Sequence, residues 1–260
     1  MDEIIRVKNE GYSRYEELLM QRDKLGKEAH ILQGQYMKEF GELITTVFEK
    51  KISCIQKKKT IAFCQAAVNR GEPVDQNALN SYIGREMAEY QRQLQHMIAE
   101  NDAAHNMIKR SVSDVEKIKK IYRRLAKVLH PDINPKTNEI PELKTLWNMV
   151  VVSYNSNSLE ALEEAEVLVN RALKAHNITD MVIEIPNLDE KIAKVEEEIL
   201  QIKGTNPYQY KYLLLDTVLM DEKREELQKE LEEYTNYEKE LDQIMKQLID
   251  QGVNVIWRMN

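Results

Sequence analysis

Apolar residues recur at steps of three and four along most of the chain, the spacing that lays one stripe down a helix. In the first third the stripe reads Leu25, Ala29, Leu32, Tyr36, Phe40, Leu43, Val47. It starts near Tyr12 and fades around Val68–Gly71, where Gly71-Glu-Pro73 joins a flexible residue to one that cannot donate a helix hydrogen bond. A second helix is predicted over Asn77–Arg110. There Ile83, Tyr90, Met97 and Ala104 repeat every seven residues, with Met87, Leu94 and Ile108 between them and Asn101 as a polar interruption. That is the a/d seam of a coiled coil.

The last third repeats the arrangement. Leu188, Ile192, Val195, Ile199 and Ile202 form a seam that stops at Gly204-Thr-Asn-Pro207. A longer helix follows, with Met220, Leu227, Tyr234, Leu241 and Leu248 every seven residues and Leu231 and Met245 between. Its stretch from Asp221 to Asp242 holds ten acids against four bases, a solvated face supported by pairs such as Glu225 with Lys229. The predicted fold is all-α: elongated antiparallel coiled-coil helices flanking a different middle segment. The helix Asn77–Arg110 pairs with Leu188–Ile202 in this reading, and matching breaks in the two halves favour pairing within one chain. A parallel homodimer would bury the same seams. The domains are read as 1–110, 111–176 and 177–260.

Composition agrees with long helices. Of 260 residues, 31% are charged and only 7% aromatic, and 8 glycines and 6 prolines are too few for an all-β fold built on tight turns. Two cysteines, Cys54 and Cys64, and five scattered histidines give no disulfide framework and no metal-ligand spacing, so no cofactor or metal is expected. No apolar run approaches the roughly 20 residues of a membrane span, and the start lacks a signal-peptide pattern. The expectation is a cytoplasmic protein with no membrane partner. Met181-Val-Ile-Glu-Ile185 is the one strand-like run and, with no sheet to join, is read as an extended linker. Trp257 near the end has two candidate contacts, the start of the chain at Ile4 and Ile5 or a second copy.

Between Ser111 and His176 the pattern changes. Ser113-Asp-Val-Glu116 reads as a capping box. The helix it opens places Ile118, Ile121, Tyr122, Leu125, Val128 and Leu129 on one face and Lys117, Lys119, Lys120, Arg123, Arg124 and Lys127 elsewhere. With Asp114 and Glu116 this helix carries +4 inside a chain of −7, a local concentration that suits an acidic partner. His130-Pro131-Asp132 ends it, because proline cannot continue a helix and pushes its predecessor out of the helical region. A polar loop leads to a further helix with Leu143, Leu146, Trp147, Val150 and Tyr154 facing back. Asn155-Ser-Asn-Ser158 breaks that helix, and another runs to about Ala175.

Ile118-Lys-Lys-Ile-Tyr-Arg-Arg-Leu-Ala126 leading into His130-Pro-Asp-Ile-Asn-Pro135 resembles the J-domain family of co-chaperones, typified by DnaJ, over roughly a quarter of the chain. Trp147, Val150 and Tyr154 fit the family's third helix, with Ser153 where alanine is common. The short first helix with its Tyr-x-x-Leu-Gly pattern is absent before Ser113, and Met107 and Ile108 are assigned its packing role. The glycine-rich region and four-cysteine zinc module of full-length DnaJ are absent too. The resemblance implies a J-domain-like helical hairpin that docks on a DnaK-type heat-shock chaperone and stimulates its ATPase, performing no bond chemistry itself. Lys119, Lys120, Arg123, Arg124 and Lys127 would meet an acidic surface, and His130, Pro131 and Asp132 the junction beyond it. Asp132 suits a charge-assisted bond from a partner's arginine. A client protein and a second copy are the further partners implied.

The competing reading is a coiled-coil structural or adaptor protein in which the hairpin only packs. An enzyme is disfavoured by the lack of a nucleophile or phosphate loop. Nucleic-acid binding is disfavoured by the −11 carried by the rest of the chain. The docking reading requires the imidazole and carboxylate to face solvent. A bend covered by the chain's own helices would leave the scaffold.

Overall fold

The computed structural model describes residues 5–7, 11–105, 112–178, 181–183 and 185–250. In chain order the elements are β1 (Ile5–Val7), α1 (Tyr12–Asn69), α2 (Gln76–His105), α3 (Val112–Leu129), α4 (Lys136–Glu139), α5 (Pro141–Asn155), α6 (Leu159–Ala175), β2 (Met181–Ile183), α7 (Leu188–Gly204), α8 (Tyr210–Leu215) and α9 (Thr217–Asp250). The all-α class holds with one exception. β1 and β2 pair in parallel, Ile5 with Met181 and Val7 with Ile183, so the run read as a lone linker does find a strand to join. Its partner lies too far away in sequence for local pattern to reveal it. Among the described residues no helix is long and apolar enough to cross a membrane.

The chain forms two compact units, neither continuous in sequence: Met1–Gln33 with Ile108–Tyr210, and Gly34–Met107 with Lys211–Asn260. The three-part division at 110 and 176 gives way to this one, and α1 contributes to both units.

The core of the first unit joins α3, α5 and α6. Ile118, Leu129, Leu143, Val150, Leu162, Ala165 and Val169 are fully buried in it, and Met20 of α1 packs on its edge. Full burial of each large aliphatic side chain contributes about 1.5–3 kcal/mol. Tyr122 on α3 stacks on Tyr154 of α5, with ring centroids 3.9 Å apart, while His130 meets Trp147 at 5.0 Å. An early residue of α3 thus faces a late one of α5, and the two helices run antiparallel. Ser158 caps α6 by accepting from the Ala161 N–H at 3.3 Å. The predicted cap at Ser113 is displaced: α3 already begins at Val112, which puts Ser113 inside its first turn. The packing role assigned to Met107 and Ile108 lies outside the described residues, as do the contacts proposed for Trp257 and Ile4. It is α1, through Tyr15, Leu19 and Met20, that supplies this unit with its further buried helix face.

In the second unit α1 is flanked by α2 and α9. Gly41 lies against Asn101, Lys59 bonds Glu86 at 2.6 Å, and Phe63 stacks on Tyr82, so α2 runs back along α1. A Cβ at position 41 would collide with the Asn101 amide, so the glycine sets the close approach there. Cys54 donates to the Tyr234 carbonyl, and Lys57 reaches Glu238 at 3.1 Å and Asp242. Those positions advance together, so α9 runs parallel to α1. The pairing predicted between Asn77–Arg110 and Leu188–Ile202 is therefore not the one described. α2 lies on the later part of α1, whereas α7 lies on its start, where Arg14 meets Glu196 and Arg22 meets Glu198. Heptad seams specify an apolar partner without saying which one.

Candidate functional site: the His130–Asp132 corner

α3 ends where the sequence places its stop. The His130 N–H still donates to the Ala126 carbonyl at 2.9 Å, and Pro131 then turns the chain. The freed carbonyls at the helix end find partners at once. The N–H groups of Ile133 and Asn134 both donate to the His130 carbonyl, at 2.9 and 2.8 Å. The Asn134 amide donates to the Val128 carbonyl at 2.8 Å and accepts from the Lys136 N–H at 3.1 Å. Ile133 and Asn134 are fully buried, and the polar loop contains the single turn of α4. The corner is stiff because both of its ends are satisfied.

The imidazole does not face solvent. His130 is 3% exposed, in contrast to the open presentation the sequence suggests. Trp147 covers one side edge-on and Arg22 of α1 the other, with Nη2 2.9 Å from Nε2. The covering residue lies 108 positions upstream, and nothing in the local motif announces it. The Asp132 carboxylate remains 45% exposed, 3.8 Å from Arg22 Nη1. Pro131 is half-buried.

Both ring nitrogens of His130 face donors, Arg22 at Nε2 and the Asp132 N–H at Nδ1, 3.1 Å away. A neutral imidazole has one lone pair to offer. Arginine is always protonated and only donates, so Arg22 and the Asp132 N–H compete for that lone pair, with the Asp132 carboxylate 3.8 Å from Nδ1. Burial pushes the imidazole below its ordinary value, against the pull of Asp23 and Asp132.

Arg22 is itself held. It bonds Asp23 at 3.0 Å and Glu198 of α7 at 3.1 Å, so two carboxylates orient it besides Asp132. Asp23 also accepts from the Tyr122 hydroxyl at 2.6 Å, tying α1 to the aromatic stack on α3. Beside them Lys27 is 6% exposed, and its ammonium has no hydrogen-bond acceptor among the described residues. It lies 3.8 Å over the Tyr154 ring, a cation–π contact. Burial, with a further push from Lys119, lowers it to about 8. A cavity of about 480 Å³ opens among Arg22, Lys27, Pro131, Asp132, Trp147 and Ile202.

The predicted basic residues divide. Arg124 is engaged by Glu166 in a two-pronged bond at 2.8 and 2.9 Å, and Lys127 by Glu16 at 3.1 Å. Lys119, Lys120 and Arg123 are exposed, as is Lys117. The first three line a cleft of about 380 Å³ with Lys24 of α1 and Glu116. Sequence reasoning missed Arg22, Asp23, Lys27 and Glu198. The signal was available in α1. Tyr15, Leu19, Leu25 and Ala29 are buried, and Arg22 interrupts their stripe with a charge that a solvated face would have placed opposite, whereas Lys27 stands off that stripe and gave no such signal. Among the described residues no three metal-binding side chains stand together, and both cysteines are free and buried. Compared with family models, curated proteins and solved structures, the chain has no match.

Proposed function

We propose that the first unit is a J-type docking module for a DnaK-type heat-shock chaperone, covered at His130 in this structure and competent once that cover lifts, stimulating the partner's ATPase with no bond chemistry of its own. One juxtaposition supports this reading. Lys117, Lys119, Lys120 and Arg123 stand exposed on a helix that runs directly into a rigid corner with a half-exposed carboxylate. Cations fixed on one helix steer an acidic partner and set its register, in a salt-sensitive way. A preformed corner loses little loop entropy on docking. The Asp132 carboxylate offers a charge-assisted bond to a cation on the partner. The J-like hairpin is then α3, the corner and α5. The heptad helices of the second unit serve as coiled-coil arms for a client or a second copy, and exposed apolar residues such as Leu215 and Val218 suit that use.

The test is a single-turnover ATPase assay of a DnaK-type chaperone with the full chain added across a range of salt. Stimulation is expected to weaken as salt rises, and to vanish in His130→Gln with helicity unchanged. The cover over His130 favours a second reading, a coiled-coil scaffold in which the J-like module only packs. No stimulation at any salt, from the wild type or from the opened variant described below, would leave that scaffold.

A further inference from the structure

We infer that Arg22 is an internal ligand of the His-Pro-Asp corner. Its guanidinium takes, within the chain, the place that a partner's cation would take at Asp132, and the corner docks only when Arg22 lets go. The regulatory consequence rests on the docking reading; the clasp itself does not.

The geometry carries this. Arg22 reaches both functional groups of the corner, with Nη2 at 2.9 Å from His130 Nε2 and Nη1 at 3.8 Å from the Asp132 carboxylate. A guanidinium presents its donors in a fixed fork, so a single residue can serve an imidazole nitrogen and a carboxylate together. The two contacts differ in kind. The bond to His130 is short and buried, whereas the approach to Asp132 is long and half-exposed, worth little in water. Arg22 also has Asp23 as a partner through Nε and Nη2, and Glu198 through Nη1, so both carboxylates stay within reach of a guanidinium that leaves His130 and Asp132. It can therefore swing off without becoming a bare buried charge, which would otherwise make release prohibitive. The groups around the imidazole are Arg22 and Asp23 of α1, Asp132 of the corner and Glu198 of α7. A competing cation at Asp132 and a loosening of α1 or α7 both act on the same hinge of charge. The closed form suppresses docking by the fraction of molecules in which the fork is seated.

The experiment uses the full chain and reads the corner directly. The rate of carbethoxylation at each histidine is followed by peptide mass spectrometry, with exposed His30, His96 and His105 as internal references. In the wild type His130 should react at least tenfold more slowly than these. In Arg22→Gln, with native helicity, it should come within about threefold of them, with Arg22→Lys between. A fast His130 in the wild type, or a slow one in Arg22→Gln, overturns the clasp. If Arg22→Gln loses helicity, Arg22→Lys decides: a His130 as slow as in the wild type overturns the clasp, and a faster one supports it. In the chaperone assay Arg22→Gln should stimulate several-fold more than wild type at equal concentration, and Arg22→Gln with His130→Gln not at all. An opened His130 without any stimulation would retain the clasp and reject the docking reading.

Discussion

The two units handle charge on the same helix in opposite ways. In the second unit Lys50, Ser53 and Lys57 of α1 converge on Glu238 of α9, whose side chain is only 16% exposed. In the first unit α1 carries Arg22, Asp23 and Lys27 into the interior, against Tyr122, His130 and Tyr154. In the second unit Lys57 is buried, and the carboxylates of Glu238 and Asp242 both match it. Charges taken inside must be matched one by one, and Lys27 has no acceptor among the described residues. The contrast separates a part of the chain built to hold from a part built around a specific polar arrangement. Native proteins keep such arrangements where a site requires them.

The widest gap between the units should be in their tolerance of truncation. Leu162→Ala, fully buried where α3, α5 and α6 meet, should cost about 3–4 kcal/mol, and Leu241→Ala in the seam about 2 kcal/mol. Urea unfolding followed by hydrogen exchange on α5 and α9 peptides would measure both. Equal losses would mean that the seam is packed as densely as the helical core.

Acid should separate them next. Burial holds His130 below its ordinary 6.5, so its neutral form favours the fold. That contribution is complete above 6.5 and drains as pH falls through the folded value, because the unfolded chain takes up the proton first. Glu238 behaves differently. Burial alone would raise it, but bonds from Lys50, Ser53 and Lys57 overcome this and hold it at about 2. Its contribution is complete above 4.5 and is lost toward 2. Amide exchange in α5 should therefore accelerate at mildly acid pH, and that in α9 only at stronger acidity. The reverse order would place the sensitive charge in the seam.

The smallest effect concerns Lys27. Its ammonium is disfavoured in place, so Lys27→Met should stabilise the first unit by about 1 kcal/mol after the cation–π contact is lost, seen as a higher urea midpoint. A lower midpoint would show that the Tyr154 contact outweighs desolvation.

Much of this molecule is legible in its sequence because its signals are local. The stripe from Leu25 to Val47, the break at Gly71-Glu-Pro73 and the stop at Pro131 all correspond to observed elements and ends. The buried face of α3 is the predicted one, with Ile118, Tyr122 and Leu125 inside. What escaped reading is the choice of partner. A heptad seam fits any other seam, so the neighbours of α2 and α7 were assigned to each other instead of to different stretches of α1. The cover over His130 escaped for the same reason. An arginine is ordinary on a helix surface, and only the fold reveals that this one faces inward.

The discontinuity of the units has a consequence for the order of synthesis. The opening turns of α1 leave the ribosome early, yet Glu198, the carboxylate that anchors Arg22, is among the later residues to emerge. Until then Arg14 and Arg22 have no α7 carboxylates to meet, and the imidazole of a newly made corner meets α1 without its full charge setting. A nascent chain of this design carries an unfinished α1 face over the 176 positions from Arg22 to Glu198, the kind of surface that chaperones bind.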